Sequence, residues 1–189
     1  MKKIPAHKRC YSTVKRDKKA IQYIVIHNTA NIGDTAEGNG NYFKNGPYKW
    51  ETKSDGTKVK VPIEAGAHFF IDQKGNKVKS IDMNRIAWAV GGSKYSDCGA
   101  TGGGKMFGKV TNANSVSIEL CDIVDKEPSE AMMKSVWKVV KYIRKYCPNA
   151  QTIVRHFDVN GKHCPKSMMD EEMWQRFQLR LLNAAIKYK

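Results

Sequence analysis

A short apolar segment that ends in a histidine most restricts the folds open to this chain. Residues 21–27 read Ile-Gln-Tyr-Ile-Val-Ile-His, a nearly continuous run of β-branched and aromatic residues. Such a run is typical of a strand that is buried on both faces and therefore needs covering layers on both sides. Polar residues follow at once, so His27 is expected where a strand opens into a loop, a common location for functional sites.

Patterns elsewhere in the chain predict the layers around this strand. Residues 116–120 predict a second buried strand interrupted by one acid, and residues 67–71 and 77–81 flank a hairpin turn. Three helices are predicted from capping residues and helical spacing, at residues 34–44, 129–146 and 170–187. Strands interleaved with helices predict an α/β fold, with a central mixed β-sheet flanked by α-helices.

Three segments lack these patterns. Residues 1–20 are polar and basic and are expected to form a leading segment or arm, and residues 45–65 predict a loop or small hairpin. Residues 91–104 contain six glycines and predict a long mobile loop beside a cleft. A phosphate-loop pattern at residues 99–105 lacks the Ser or Thr that should follow its lysine, so nucleotide binding is not favoured. With no repeat or linker visible, residues 1–189 are predicted to form one domain.

The charge indicates a partner class without identifying it. The chain has 33 Lys and Arg against 18 Asp and Glu, a formal charge of +15, which predicts attraction to nucleic acid, anionic membranes or acidic wall polymers alike. No apolar stretch approaches the roughly 18 residues that a membrane span needs, and the start lacks an apolar signal core. We therefore expect no membrane span and cytoplasmic synthesis. Five cysteines without a CxxC pair predict reduced thiols.

Two histidines and a cysteine have the residue types and spacing of a metal site. His156 and Cys164 stand eight positions apart across a loop that contains Gly161, so both donors can converge on one ion. His27, at its strand end, can supply the third donor. Three protein ligands leave one position of tetrahedral zinc open for water, which is the arrangement of a catalytic site. Taken singly, residues of each of these three types are more often structural, and it is their combination that indicates a metal site.

An acid and a lysine could add catalytic groups to this site. Glu119 interrupts an apolar strand, where a carboxylate is costly to bury unless it is paired or functional, so it predicts a general base. A solvent-facing position in the strand is the alternative. Lys162 could stabilise a developing oxyanion, although a surface lysine is expected often in so basic a chain. Asp158 could orient a ligand, or could cap a turn instead.

Five ordered segments carry a resemblance to a known family. They are Ile24–Ala30, Ala67–Asp72 with Gly75, Ala87-Trp88 followed by Gly91, Asn114–Glu119, and His156–Asp158 with Gly161–Pro165. In this order they resemble the zinc-dependent N-acetylmuramoyl-L-alanine amidases of the amidase-2 family, which includes phage endolysins and is related to peptidoglycan recognition proteins. The resemblance extends from about residue 20 to the C-terminus.

The resemblance implies roles for individual residues. His27, His156 and Cys164 match the Zn²⁺ ligands, Glu119 the acid/base glutamate, and Lys162 the lysine near the scissile carbonyl. Two positions depart from the family pattern. Ala89 replaces a histidine that often follows the tryptophan, and Ala67 replaces a tyrosine that is catalytic in one phage branch, which moves the acid/base role further towards Glu119. The remaining candidate substrate contacts are Asn28, Thr29, His68, Trp88 and Asn114.

The implied function is hydrolysis of the amide between N-acetylmuramic acid and L-alanine in bacterial peptidoglycan, as a phage or prophage endolysin that acts on the wall after release. Alternatives are an intracellular amidase that recycles anhydromuropeptides, a peptidoglycan-binding module without activity, and a zinc-containing nucleic-acid binder, which would not need Glu119. No wall-binding domain is apparent, and the charge of +15 suggests adhesion to anionic wall polymers such as teichoic acids. The sequence gives no prediction of the oligomeric state.

Overall fold

The computed structural model describes residues 1–188 and contains ten strands and five helices in that range. The strands are β1 (Lys2–Lys3), β2 (Tyr11–Lys15), β3 (Tyr23–Asn28), β4 (Tyr48–Thr52), β5 (Lys58–Pro62), β6 (Phe69–Ile71), β7 (Lys77–Lys79), β8 (Arg85–Ala87), β9 (Ser115–Leu120) and β10 (Thr152–Arg155). The helices are α1 (Ala36–Lys44), α2 (Cys98–Thr101), α3 (Glu130–Tyr146), α4 (His156–Asn160) and α5 (Glu171–Lys187).

A six-stranded sheet in the order β1-β7-β6-β9-β3-β10 forms the centre of the molecule. Strands β6, β9, β3 and β10 run parallel to one another, and β7 is antiparallel to β6, so the sheet is mixed as predicted. Two-stranded sheets β2-β8 and β4-β5 flank it. The carboxyl ends of the parallel strands meet at one edge, which is where sites in such sheets usually lie.

Helices cover both faces of this sheet. Ile24 and Ile26 of β3 pack with α3 and α5 in the main core, whereas the alternate residue Val25 packs on the opposite face with residues of α4 and its neighbouring loops. Because side chains alternate along a strand, His27 follows Val25 onto that second face. The apolar run therefore places the first predicted ligand on the face that α1 and α4 partly cover.

The leading segment 1–20 is part of the fold, which corrects the prediction of an arm. Strand β1 pairs with β7 at the sheet edge, β2 pairs with β8, and Ile4 and Cys10 are buried. Only these two side chains of the segment are buried, and backbone hydrogen bonds and the Arg16 guanidinium, which donates to the carbonyls of Met83 and Asn112, also attach it. An apolar pattern of the kind that reveals a core strand is therefore missing from this segment.

The helix predictions are confirmed, with one correction at α1. Asp170 caps α5 as predicted and Ser129 caps α3, but α1 is capped by Thr35 and not by Asp34, and the Thr35 hydroxyl accepts from the backbone N–H of Gly38. The carboxylate of Asp34 instead accepts a hydrogen bond of 2.6 Å from the Asn39 side chain. Residues 45–65 form the predicted hairpin, as β4 and β5.

The glycine-rich segment 91–104, predicted as a long mobile loop beside a cleft, makes backbone hydrogen bonds to α4. The backbone N–H groups of Tyr95 and Gly104 donate to the carbonyls of Asn160 and Phe157, at 2.8 and 2.9 Å. Such backbone bonds do not depend on side-chain type, so the glycine content did not predict them. Across residues 1–188, the five cysteines are separate buried thiols. None of the helices in this range combines the length and the hydropathy of a membrane span.

Candidate metal centre and active-site cavity

The candidate site lies at the carboxyl edge of the three central parallel strands. His27 is near the end of β3, and Glu119 of β9 stands beside it in the strand register. On the other side of β3, strand β10 ends at Arg155 and His156 begins α4. The loop after α4 then returns Cys164 to the end of β3, where the backbone N–H of Asn28 donates to its Sγ at 3.4 Å.

His27, His156 and Cys164 converge as the sequence predicts. One donor atom from each lies within 4.8 Å of the others, and the two imidazole centroids are 4.6 Å apart. All three side chains are buried, with exposures of 2%, 3% and 4%. Within residues 1–188, Nε2 of His27 and Nδ1 of His156 are buried atoms without a hydrogen-bond partner. Buried polar atoms are rarely left in this state, so these nitrogens fit a site that receives a ligand.

A backbone carbonyl fixes the orientation of His156. Nε2 of this ring lies 3.2 Å from the carbonyl oxygen of Val90, so the ring proton is held there and the lone pair is left on Nδ1. The side chain of Asn160 donates to the same carbonyl at 2.9 Å and accepts the backbone N–H of Lys162 at 3.0 Å. Asn160 thus ties the His156 support to the loop that carries Lys162 and Cys164, as outer groups commonly do around metals.

Burial keeps the imidazole donors neutral. It lowers the pKa of His27 well below the usual value, and it lowers that of His156 to about 4, with the nearby charge of Lys162 acting in the same direction. Burial also raises the pKa of the Cys164 thiol to about 12. A cation at this position would favour the thiolate, and two neutral imidazoles with one sulfur are a donor set that Zn²⁺ prefers. The residues present therefore fit a three-ligand zinc site.

Glu119 and Lys162 flank this cluster. An oxygen of the Glu119 carboxylate lies 3.9 Å from Nδ1 of His27, and its second oxygen is buried and unpartnered among the described residues. Burial raises the pKa of Glu119 to about 7, partly opposed by the positive charge of Lys162. The Glu119 side chain is 18% exposed and faces the histidine cluster and not the bulk solvent, which favours the functional interpretation of Glu119 over a solvent-facing strand position.

Asp158 braces the loop and contacts neither histidine. Its carboxylate accepts hydrogen bonds of 2.7–3.1 Å from the guanidinium of Arg155 and one of 2.8 Å from the Arg155 backbone N–H. Of the two roles considered for Asp158, capping is the one that the structure supports.

A cavity of about 660 Å³ opens above the cluster. Its walls include both catalytic candidates, two of the three metal-ligand candidates and three of the proposed substrate contacts: Glu119, Lys162, His27, Cys164, Asn28, Thr29 and Trp88. Ala89, which replaces the histidine common in the family pattern, also lines the cavity. No residue of the glycine-rich segment 91–104 lines it.

His68 and Asn114 do not line the cavity. His68 is 1% exposed, and its Nδ1 accepts the backbone N–H of Ser117 while Nε2 lies 3.2 Å from the carbonyl of Arg85. Burial and the charge of Arg16 lower its pKa to about 3, so this histidine is a neutral structural residue. Asn114 caps the turn before β9 and lies about 16 Å along the strand from Glu119, at roughly 3.3 Å per residue. The prediction that His68 and Asn114 contact substrate was wrong. It rested on their lying in family motifs, and a motif does not show at which end of a strand a residue lies.

The family described as N-acetylmuramoyl-L-alanine amidase, Amidase_2, matches residues 17–167. The chain belongs to this family. Among curated proteins, the amidase CwlL of Bacillus licheniformis is 28% identical over 149 residues, which are 77% of this chain and 36% of CwlL. The amidase CwlH of Bacillus subtilis is 25% identical over 155 residues, 82% of this chain and 50% of CwlH. This amidase-family chain therefore spans about a third to a half of the length of these relatives.

Solved structures share the fold. PlyL superimposes with a TM-score of 0.66 and 20% identity, covering 96% of both chains. At this identity the similarity establishes the architecture of the amidase-family domain, including the single mixed sheet with helices on both faces.

Three features of this amidase-family site were not predicted. The Val90 carbonyl is invisible to a search for reactive side chains, and no sequence pattern singles out Asn160. The aromatic residues Tyr48 and Trp50 of the β4–β5 hairpin line the cavity. The alternation of aromatic with polar residues in β4 could have indicated that Tyr48 and Trp50 share one face of the hairpin.

Proposed function

We propose that this chain is a zinc-dependent N-acetylmuramoyl-L-alanine amidase, which hydrolyses the amide between N-acetylmuramic acid and L-alanine in bacterial peptidoglycan. Family membership supports the reaction. The observation that carries it is the position of Glu119, a largely buried carboxylate 3.9 Å from a candidate metal ligand in the wall of an open cavity. A module that only binds peptidoglycan would not need this carboxylate or the complete ligand set.

In this proposal His27, His156 and Cys164 hold the metal. When bound, Zn²⁺ supplies Lewis acidity, which activates water and polarises a carbonyl oxygen. The Val90 carbonyl fixes the ring of His156, and the Asn28 backbone N–H fixes Cys164, so the chain presents its donors in a preset arrangement. The zinc assignment is supported by the donor set and by the unpartnered nitrogens.

Glu119 accepts the proton of the attacking water and delivers a proton to the nitrogen of the departing L-alanine. With its pKa raised to about 7 by burial, the carboxyl group can both take and release a proton near neutral pH. Lys162 lines the cavity, where its ammonium can balance negative charge on the carbonyl oxygen. Trp88, Asn28 and Thr29 bound the space in which the reacting amide would lie.

The test combines metal analysis with digestion of purified peptidoglycan. We expect one zinc per chain and the release of new L-alanine amino termini. New reducing sugar ends without new amines would overturn the proposal in favour of a glycosidase. Salt-sensitive DNA binding without wall hydrolysis would instead favour the nucleic-acid alternative.

We further propose that the chain acts on the intact wall, as an endolysin does, and that its charge of +15 promotes adhesion to anionic wall polymers such as teichoic acids. The fold is shared with a mutant endolysin from Bacillus subtilis, with a TM-score of 0.61 and 20% identity. Peptidoglycan stripped of these polymers should be digested more slowly at low salt and equally fast at high salt. Equal rates at low salt would refute adhesion.

A further inference from the structure

The β4–β5 hairpin forms a wall of the active-site cavity that lies outside the catalytic cluster. Tyr48 and Trp50 of β4 line the cavity, as do Pro47 and Ile63 at the two ends of the hairpin. In the antiparallel register Trp50 stands opposite Lys60, so their side chains share a face. The hairpin pairs only with itself among the described residues and is not a strand of the central sheet.

A continuous series of aromatic rings anchors this hairpin to the core. Phe70 of the central sheet stacks on Phe43 at 5.2 Å between centroids, Phe43 contacts Tyr42 at 5.1 Å, and Tyr42 contacts Tyr48 at 5.6 Å. The Tyr42 hydroxyl also donates to the Tyr48 carbonyl at 2.6 Å and accepts its backbone N–H at 3.0 Å. The first residue of β4 is therefore held in place relative to α1 and the cavity.

Trp50 ends this series and stays largely in solvent. Its ring is 58% exposed and lies edge-on to Tyr48 at 5.7 Å. The ammonium of Lys60 sits over both rings, 4.4 Å from the Tyr48 centroid and 5.3 Å from that of Trp50. A large aromatic side chain left exposed beside a cavity contributes little to folding, and such residues are characteristic of binding surfaces.

We propose that Tyr48, Trp50 and Lys60 form a saccharide subsite, which binds the glycan strand next to the N-acetylmuramic acid unit that is cleaved. Pyranose rings present a C–H face that packs on an aromatic ring and hydroxyl groups at the edge that an ammonium can bind. Two aromatic rings with one ammonium suit such a ring. A phosphate-rich polymer would need several cations at one place and no aromatic surface. The inference rests on the proposed amidase function, since it gives the substrate of that reaction a second attachment point.

The subsite implies a preference for polymeric substrate. A soluble fragment that has one N-acetylmuramic acid can occupy the catalytic end of the cavity but has no neighbouring sugar to contact Trp50. An intact glycan strand can fill both positions. The hairpin thus favours action on the wall over recycling of small muropeptides.

The test compares Trp50→Ala and Trp50→Phe with the unaltered protein on two substrates, polymeric peptidoglycan and a soluble muramyl peptide with one sugar. We expect Trp50→Ala to raise KM about 5- to 20-fold on the polymer with little change in kcat, and to leave the soluble substrate unaffected. Trp50→Phe should restore KM to within about 3-fold, because it keeps an aromatic face. Tyr146→Ala is the matched control, since Tyr146 is an exposed ring under the lysines Lys18 and Lys145 on a different element.

Binding of peptide-free glycan strands, measured by co-sedimentation, tests the subsite without catalysis. We expect Trp50→Ala and Lys60→Ala to weaken binding and Tyr146→Ala to leave it unchanged. Unchanged binding in Trp50→Ala, or an equal rise in KM on both substrates, would overturn the subsite. Protein that cleaves neither substrate but binds glycan through Trp50 would refute the proposed function and retain the subsite.

Discussion

Replacing Arg155 by Met is expected to destabilise the loop that carries Cys164. The guanidinium is 5% exposed, and it donates to the Asp158 carboxylate at 2.7 Å, to Glu171 at 3.0 Å and to the carbonyls of Met168 and Met169 at 3.0 Å each. It therefore joins the start of α4 to the start of α5, and the metal loop lies between these points. Methionine fills similar space but cannot make any of these bonds.

The loss of stability in Arg155→Met can be estimated from the carboxylate that is left without its partner. Asp158, whose side chain is 15% exposed, would keep its charge with no cation beside it. Removing one partner of a buried ion pair costs about 3–5 kcal/mol, and for a domain of this size each kcal/mol lowers Tm by about 2–4 °C. We expect Arg155→Met to lower Tm by about 6–20 °C on this basis. The pair with Glu171 is largely exposed and adds little to this figure.

Thermal and urea unfolding of Arg155→Met and of Arg155→Met/Asp158→Asn measure this effect. The double variant removes the stranded charge, so it should recover about half of the lost stability, while the two main-chain carbonyls remain unpaired in both. Zinc affinity should fall in parallel in the single variant. A loss below about 1 kcal/mol in Arg155→Met, or no recovery in the double variant, would refute the view that this buried pair holds the loop.

The remaining predictions concern catalysis, metal binding and one glycine. Glu119→Gln keeps the side-chain shape but cannot exchange the proton, so kcat on peptidoglycan should fall about 10²- to 10⁴-fold with zinc content unchanged. Loss of zinc in this variant would contradict the acid/base role. Chelation should lower Tm, since a ligand at 100 times its Kd stabilises the folded state by about 2.7 kcal/mol, and Cys164→Ser should remove most of this difference. An undiminished difference would contradict the ligand assignment. Gly161→Ala should cost more stability in urea than Gly56→Ala, because both have positive φ but only at 161 would an added Cβ collide, with Sγ of Cys98. Equal costs would refute that steric argument.

Features set by local pattern were predictable from the sequence. Apolar periodicity and capping are local properties, so a few residues are enough to predict an element from them. This is why the buried strand that contains His27, the amphipathic helix α3 and the capped helix α5 were predictable. The pairing of β1 with the sheet edge was not predictable in this way. It depends on backbone hydrogen bonds between distant segments, and side-chain type has little influence on them.

The site shows the same division. His27, His156 and Cys164 could be predicted because their chemistry is rare and their spacing suits one ion. The groups that orient them could not, since the Val90 carbonyl has no side-chain signature and the Asn160 amide looks like any turn residue. A sequence reveals which atoms can bind a metal more readily than it reveals what holds them still.

The topology couples this site to the stability of the whole domain. The Asn28 backbone N–H and the Cys164 sulfur are 136 positions apart in sequence, yet only 3.4 Å separates them. A metal bridging the end of β3 and the loop after α4 would close residues 27–164, most of the chain, into one loop, and such long closures restrict the unfolded state most. Metal removal should therefore lower the cooperative unfolding transition of the domain, and a chelator that loosens only residues 156–170 in hydrogen exchange would contradict this coupling.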